Sequence, residues 1–263
     1  MTDGFFSDRV LQAGGLVLFL NAGDPPIEEL FDLILLLDAC RVDCLELAIP
    51  FPDSVTDGPV IRASARRALD RGTTATDVLN LIRNVRPRLS HLKIALLADW
   101  HATVKPVGQS QFLVDVQDCG ADALLVHAVP PRVRTELYLA TAEIGQPVIT
   151  TCYATSSPQV VAEAARYGSA YIYLAARYGM TGSGPVDYRR VATTTALLRE
   201  LCPTPIAVGY GVESRHQIDM LSTVGADAVI VGSAFVATVS HANSVDGRAI
   251  DAAAFLRTLG RSW

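Results

Sequence analysis

Eight short apolar runs recur along the chain, each separated from the next by a longer stretch with helical spacing. They read "LVLFLN" (16–21), "DCLELAI" (43–49), "LKIALLA" (92–98), "ALLVHA" (123–128), "PVITTC" (147–152), "YIYLAA" (171–176), "PIAVGY" (205–210) and "AVIVGS" (228–233). Runs this short and rich in aliphatic and β-branched residues are strands buried on both faces, as in a parallel sheet. The segments between them, such as "IEELFDLILLLDAC" and "SPQVVAEAARYG", place apolar residues on one helical face. "GAD" precedes both the fourth run (120–122) and the eighth (225–227), a glycine that ends a helix followed by a turn. Eight strands alternating with helices predict a single closed (β/α)₈ TIM barrel over residues 1–263, of the α/β class; an open doubly wound sheet is the rival. No Pro- or Ser-rich linker divides the chain.

Composition narrows the function. A chain of 263 residues that is 50% apolar and 19% charged carries enough hydrophobic surface for a large core. A net charge of −5 offers no electrostatic footprint for nucleic acid or an anionic membrane, so neither is an expected partner. Five cysteines without a C-x-x-C pair, a first segment "MTDGFFSDRV" without a basic leader, and no apolar run long enough to span a bilayer point to a soluble, cytoplasmic protein.

In such a barrel, chemistry belongs at the C-terminal ends of the strands. Glu46 interrupts the second run, between Leu45 and Leu47. Strand alternation puts Cys44, Glu46 and Ala48 on one face and the large aliphatics on the other, so Glu46 points into the barrel. Desolvation there raises a carboxyl pKa towards neutrality, which suits a group that both gives and takes protons. Asp57 follows within "TDGP", in the loop after the strand. Tyr171, Tyr173 and Ala175 share one face of the sixth strand. Glycine-rich stretches follow the last three strands: "GMTGSG" (179–184), "GYGV" (209–212) and "GSA" (232–234). Together they predict a phosphate site built from backbone N–H groups and a helix N-terminus.

The stretch "ELAIPFPDSVTDGPVI" (46–61), with "AGDP" (22–25), "YLAARYGMTG" (173–182), "GYGV" and "GSA" in the same order, resembles the tryptophan synthase α chain family over essentially the whole chain. The resemblance implies a (β/α)₈ barrel that cleaves indole-3-glycerol phosphate, or a related phosphorylated substrate, into indole and glyceraldehyde 3-phosphate without cofactor or metal. A pyridoxal-phosphate-dependent tryptophan synthase β-type chain is the implied partner. By position, Glu46 matches the general acid/base, Asp57 the acid that accepts the indole N–H, and Tyr173 a tyrosine near the reacting carbon. Gly182, Gly211, Gly232 and Ser233 match the phosphate binders, Thr181 the lid threonine, and Phe19 and Leu97 the apolar indole pocket.

Departures from the family pattern cluster around the pocket and the loops. Arg62 stands where Gln is usual, and Asp99 falls where an aromatic or apolar residue commonly lines the pocket. Asn21, Pro52, Ser54, Thr56 and Ala128 also differ. Two alternatives to the family reaction are a stand-alone lyase of a specialised pathway and a catalytically idle activator of a β-type partner. A Schiff-base aldolase needs a lysine at the C-terminal mouth, but Lys93 lies at the opposite mouth, before the third strand, and Lys105 in a loop past it. A metal-dependent lyase would need Asp99, His101 and His127 to converge.

Overall fold

The computed structural model describes residues 5–7, 10–11, 14–176, 186–209, 211–240 and 244–260. Eight strands form one parallel sheet: β1 (Gly15–Asn21), β2 (Cys44–Ala48), β3 (Lys93–Asp99), β4 (Ala123–His127), β5 (Thr150–Tyr153), β6 (Ile172–Ala175), β7 (Ile206–Gly209) and β8 (Ala228–Val231). Hydrogen bonding runs in the order β4-β3-β2-β1-β8-β7-β6-β5. The two ends meet through a single parallel bridge, Leu124↔Val148, so the sheet curls into a barrel rather than lying open. Every residue of β1 and β2 is buried, which explains why their sequences are apolar on both faces.

Helices cover the outside: α1 (Ile27–Ala39), α2 (Pro59–Asp70), α3 (Ala75–Val85), α4 (Gln109–Cys119), α5 (Pro131–Glu143), α6 (Pro158–Tyr167), α7 (Tyr188–Leu201), α8 (Arg215–Thr223), α9 (Ser233–Ser240) and α10 (Val245–Thr258). A one-turn π-helix, Trp100–Val104, follows β3. Local chemistry sets several helix starts. Thr74 and Asp77 form a capping box at α3, Ser214 and Gln217 another at α8, and Pro59 and Pro131 occupy first-turn positions where no N–H is needed. Among the described residues no helix is long and apolar enough to cross a membrane.

Strand ends differ from the sequence reading where the backbone runs out of partners. β5 begins at Thr150 instead of 147, because Pro147 has no N–H and Val148 makes only the isolated bridge. β8 stops at Val231, and the next residues, Gly232 and Ser233, turn directly into α9. The N-terminal end of the barrel is closed by aromatics. The Phe5 and Phe6 rings lie 5.5 and 5.6 Å from the ring of Tyr171, which is fully buried at the foot of β6.

Candidate active site

The C-terminal mouth of the barrel holds a cavity lined by Glu46, Asp57 and Tyr173 among polar groups and by Phe19, Ile61, Leu97, Leu125 and Ile230 among apolar ones. Glu46 sits in the middle of β2 and is 1% exposed. Burial pushes its carboxyl from the ordinary 4.5 up to about 7, and a hydrogen bond from Tyr171 offsets part of that rise. The Tyr171 hydroxyl donates to Glu46 Oε1 at 2.6 Å. Burial, and then the neighbouring Glu46 charge, raise the Tyr171 pKa well above its usual value, so this phenol remains a donor. A carboxyl group poised near neutrality in an apolar barrel can release a proton and recover it within one turnover.

Asp57 reaches the same cavity from the β2–α2 loop. Its N–H donates to Ser54 Oγ at 3.3 Å, and Ser54 Oγ lies 3.4 Å from Thr56 Oγ1. These family departures thus brace the loop that carries the acid. Asn21, at the end of β1, donates from Nδ2 to the carbonyl of Ile61 at 3.1 Å and ties down the first turn of α2. Arg67, further along α2, and Arg71, just past its end, bind the buried carboxylate of Asp24 at 2.6 and 3.1 Å. Burial pushes the Asp24 pKa up, but hydrogen bonds from Arg67 and Arg71 outweigh that and hold it below the usual range. The helix that starts two residues after Asp57 is therefore anchored to the β1–α1 loop along its length.

Across the mouth, Gly211, Gly232 and Ser233 line the cavity. Gly211 has φ +76°, a conformation other residues rarely adopt, and the space where its Cβ would stand is open. Gln217 Nε2 donates to the Gly211 carbonyl at 3.0 Å and fixes the turn. Ser233 opens α9, whose first-turn N–H groups have no intrahelical acceptors. Such an arrangement attracts a dianion without any lysine. Gly209 serves packing instead. A Cβ there would come within 2.7 Å of the Tyr173 ring, so the glycine seats that ring against β7.

The cavity thus brings together Glu46, Asp57, Tyr173, Phe19, Leu97, Gly211, Gly232 and Ser233. Asp99 and Arg62 do not line it. The Asp99 carboxylate turns away to accept the N–H groups of His101 and Ala102 at 2.8 and 2.7 Å, capping the π-helix. Arg62 is exposed on α2 and lines a separate groove beside Asp53 and Asp57. Asp99, His101 and His127 do not converge, and among the described residues no three His, Cys, Asp or Glu side chains do. Thr181 and Gly182 lie outside the described residues.

Three further residues belong to the site. Tyr171 is two positions from Tyr173 on the same strand face, a periodicity visible in sequence, although its partner Glu46 is not. His127 and Thr151 line the cavity from β4 and β5. Nothing in their local sequence separates them from packing residues.

The model of the family described as "Tryptophan synthase alpha chain" matches residues 6–260. The tryptophan synthase alpha chain of Synechocystis sp. is 34% identical over 235 residues, covering 88% of this chain and 87% of that protein. The corresponding protein of Gloeobacter violaceus is 36% identical over 224 residues, covering 85% and 80%. Among solved structures, the tryptophan synthase α-subunit of Pyrococcus furiosus superposes with a TM-score of 0.84 at 26% identity, covering 94% of this chain and 98% of that one. The tryptophan synthase complex of the same organism contains a chain that superposes with a TM-score of 0.83 at 25% identity, over 94% and 98%. Fold, motif order and relatives agree, and the chain belongs to the tryptophan synthase alpha chain family.

Proposed function

We propose that this chain is a carbon–carbon lyase that cleaves indole-3-glycerol phosphate to indole and glyceraldehyde 3-phosphate, working as one barrel domain in the cytoplasm. The observation that carries the reading is the position of Glu46, fully buried, raised to about 7, and facing the same cavity as Asp57 and the glycine turns after β7 and β8. Glu46, protonated at rest, donates its proton to indole C3. The positive charge that develops on the ring nitrogen is stabilised by the Asp57 carboxylate, which accepts the N–H. Glu46, now ionised, removes the proton from the hydroxyl on the carbon attached to C3. The bond between that carbon and C3 breaks, its electron pair returns to the ring, and the hydroxyl becomes the aldehyde. The proton count closes on Glu46, and the ring itself is the electron sink, so the reaction needs no cofactor. Tyr173 flanks the reacting carbon, Phe19 and Leu97 hold the ring, and Gly211, Gly232, Ser233 and Gly182 bind the phosphate. By the family match, Thr181 takes the role of the lid threonine.

The family also supports a β-type partner, since the solved Pyrococcus furiosus structure is of a tryptophan synthase complex. The β2–α2 loop offers a surface for one, with Val55 at its tip 87% exposed. Incubating the pure chain with indole-3-glycerol phosphate should release indole, with and without a β chain of the same genome. Glu46→Gln should cut turnover by about 10²–10⁴-fold, the usual contribution of a general acid/base. Asp57→Asn should leave substrate affinity within about tenfold while turnover falls, because the charge it stabilises exists only during reaction. Indole release by Glu46→Gln at more than a third of the wild-type rate overturns the assignment.

A further inference from the structure

We propose that His127 and Thr151 form a polar wall that selects an indole ring carrying a hydrogen-bonding substituent, a hydroxyl or amino group, on its benzene half. This rests on the reading that the chain cleaves an indole-glycerol phosphate. The order of strands around the barrel fixes which wall meets the ring. The glycine turns that receive the phosphate follow β7 and β8, and in an eight-stranded barrel the strands diametrically opposite are β3 and β4. A substrate held at its phosphate therefore extends its ring towards Leu97 of β3, Leu125 and His127 of β4, and Thr151 of the adjoining β5.

An unsubstituted benzene ring asks only for apolar walls there. Leu97 and Leu125 supply them, but His127 and Thr151 do not. His127 follows Leu125 on the same inward face of β4, and Thr151 lies on the inward face of β5, in register with Tyr173. Among the described residues neither the His127 imidazole nor the Thr151 hydroxyl has a hydrogen-bond partner. The Phe51 ring lies edge-on to the His127 imidazole, with 6.5 Å between centroids. An apolar ring pressed against both groups would strip their water without replacing it, which costs affinity. A hydroxyl or amino group on the ring restores those bonds.

The wall also has room. β4 and β5 share only the bridge at Leu124↔Val148, so above it the barrel has an open seam. His127, Thr151, Cys152 and Tyr153 line both the inner cavity and a second, outer one that contains Arg134, Tyr138 and Glu163. A substituent pointing between β4 and β5 meets donors and space rather than a closed wall.

The test compares wild type on indole-3-glycerol phosphate with its four mono-hydroxylated analogues, at ring positions 4 to 7, by kcat/KM for indole release. Calorimetric binding of the matching indole-3-propanol phosphates, which cannot be cleaved, runs in parallel. The expected result is at least one hydroxylated compound favoured about tenfold or more in both measurements. In the double variant H127L/T151V that ratio should fall below one. The proposal is overturned if the unsubstituted compound binds as tightly as every hydroxylated one, or if the double variant keeps the preference. Absence of cleavage with a retained binding preference would instead count against the lyase reading alone. The wild-type comparison stands even where the double variant does not fold.

Discussion

The hydroxyl of Tyr171 donates to Glu46 Oε1 across 2.6 Å, joining the N-terminal floor of the barrel to a carboxylate buried among strand aliphatics. The phenol ring is packed on Phe5 and Phe6, so its hydroxyl has a fixed direction. Tyr171 is a positioning residue, acting on the reaction through Glu46.

That bond has a measurable effect on pH dependence. A donor stabilises the ionised carboxylate, so it holds the Glu46 pKa below where burial alone would set it. With the protonated form of Glu46 starting the reaction, kcat/KM should fall as pH rises through about 7. Tyr171→Phe should move that limb to higher pH. A merely structural role for Tyr171 would lower the rate without moving the limb, and a pH–rate profile of both proteins separates the outcomes.

Glu46 should also destabilise the fold where it is ionised. Its pKa is about 7 in the native state against an ordinary 4.5, so below 4.5 it is neutral in both states and costs nothing. Between 4.5 and 7 the unfolded chain ionises while the native one does not, and stability is lost across that window, then stays level above it. Glu46→Gln, still able to accept from Tyr171, should therefore match wild type in acid and exceed it at pH 8. The gain should be roughly 3 kcal/mol, because each tenfold change in an ionisation constant corresponds to about 1.4 kcal/mol. Urea titrations at pH 4 and pH 8 check this. Equal midpoints at pH 8 would mean that burial does not penalise the charge.

The turn at Gly211 should govern anion affinity. Its φ of +76° strains any β-branched residue, although the space for a Cβ is free. Gly211→Val should thus shift the turn rather than clash, with competitive inhibition by inorganic phosphate weakened about tenfold or more while the fold survives. Inhibition constants and a thermal melt together decide it. An unchanged phosphate constant would remove Gly211 from the binding surface.

Strand and helix alternation, the inward placement of Glu46 and the glycine turns after β7 and β8 were legible in the sequence, because each follows from local periodicity or local backbone demand. A strand that alternates faces must aim Glu46 opposite to Leu45 and Leu47. Family motifs then told which short pieces belong together. The sequence alone could not decide whether Asp99 faces the substrate. Its carboxylate has a nearer partner in the N–H groups of the π-helix that follows, and that helix exists only once β3 ends where it does. Nor could it pair Tyr171 with Glu46, 125 positions apart, or show that β4 and β5 part above one bridge, beside a His127 imidazole and a Thr151 hydroxyl that have no hydrogen-bond partner among the described residues. Those relationships depend on closing the barrel, which sets residues distant in the chain against one another. What periodicity supplied was the direction each side chain faces; what it meets there was decided by the tertiary structure.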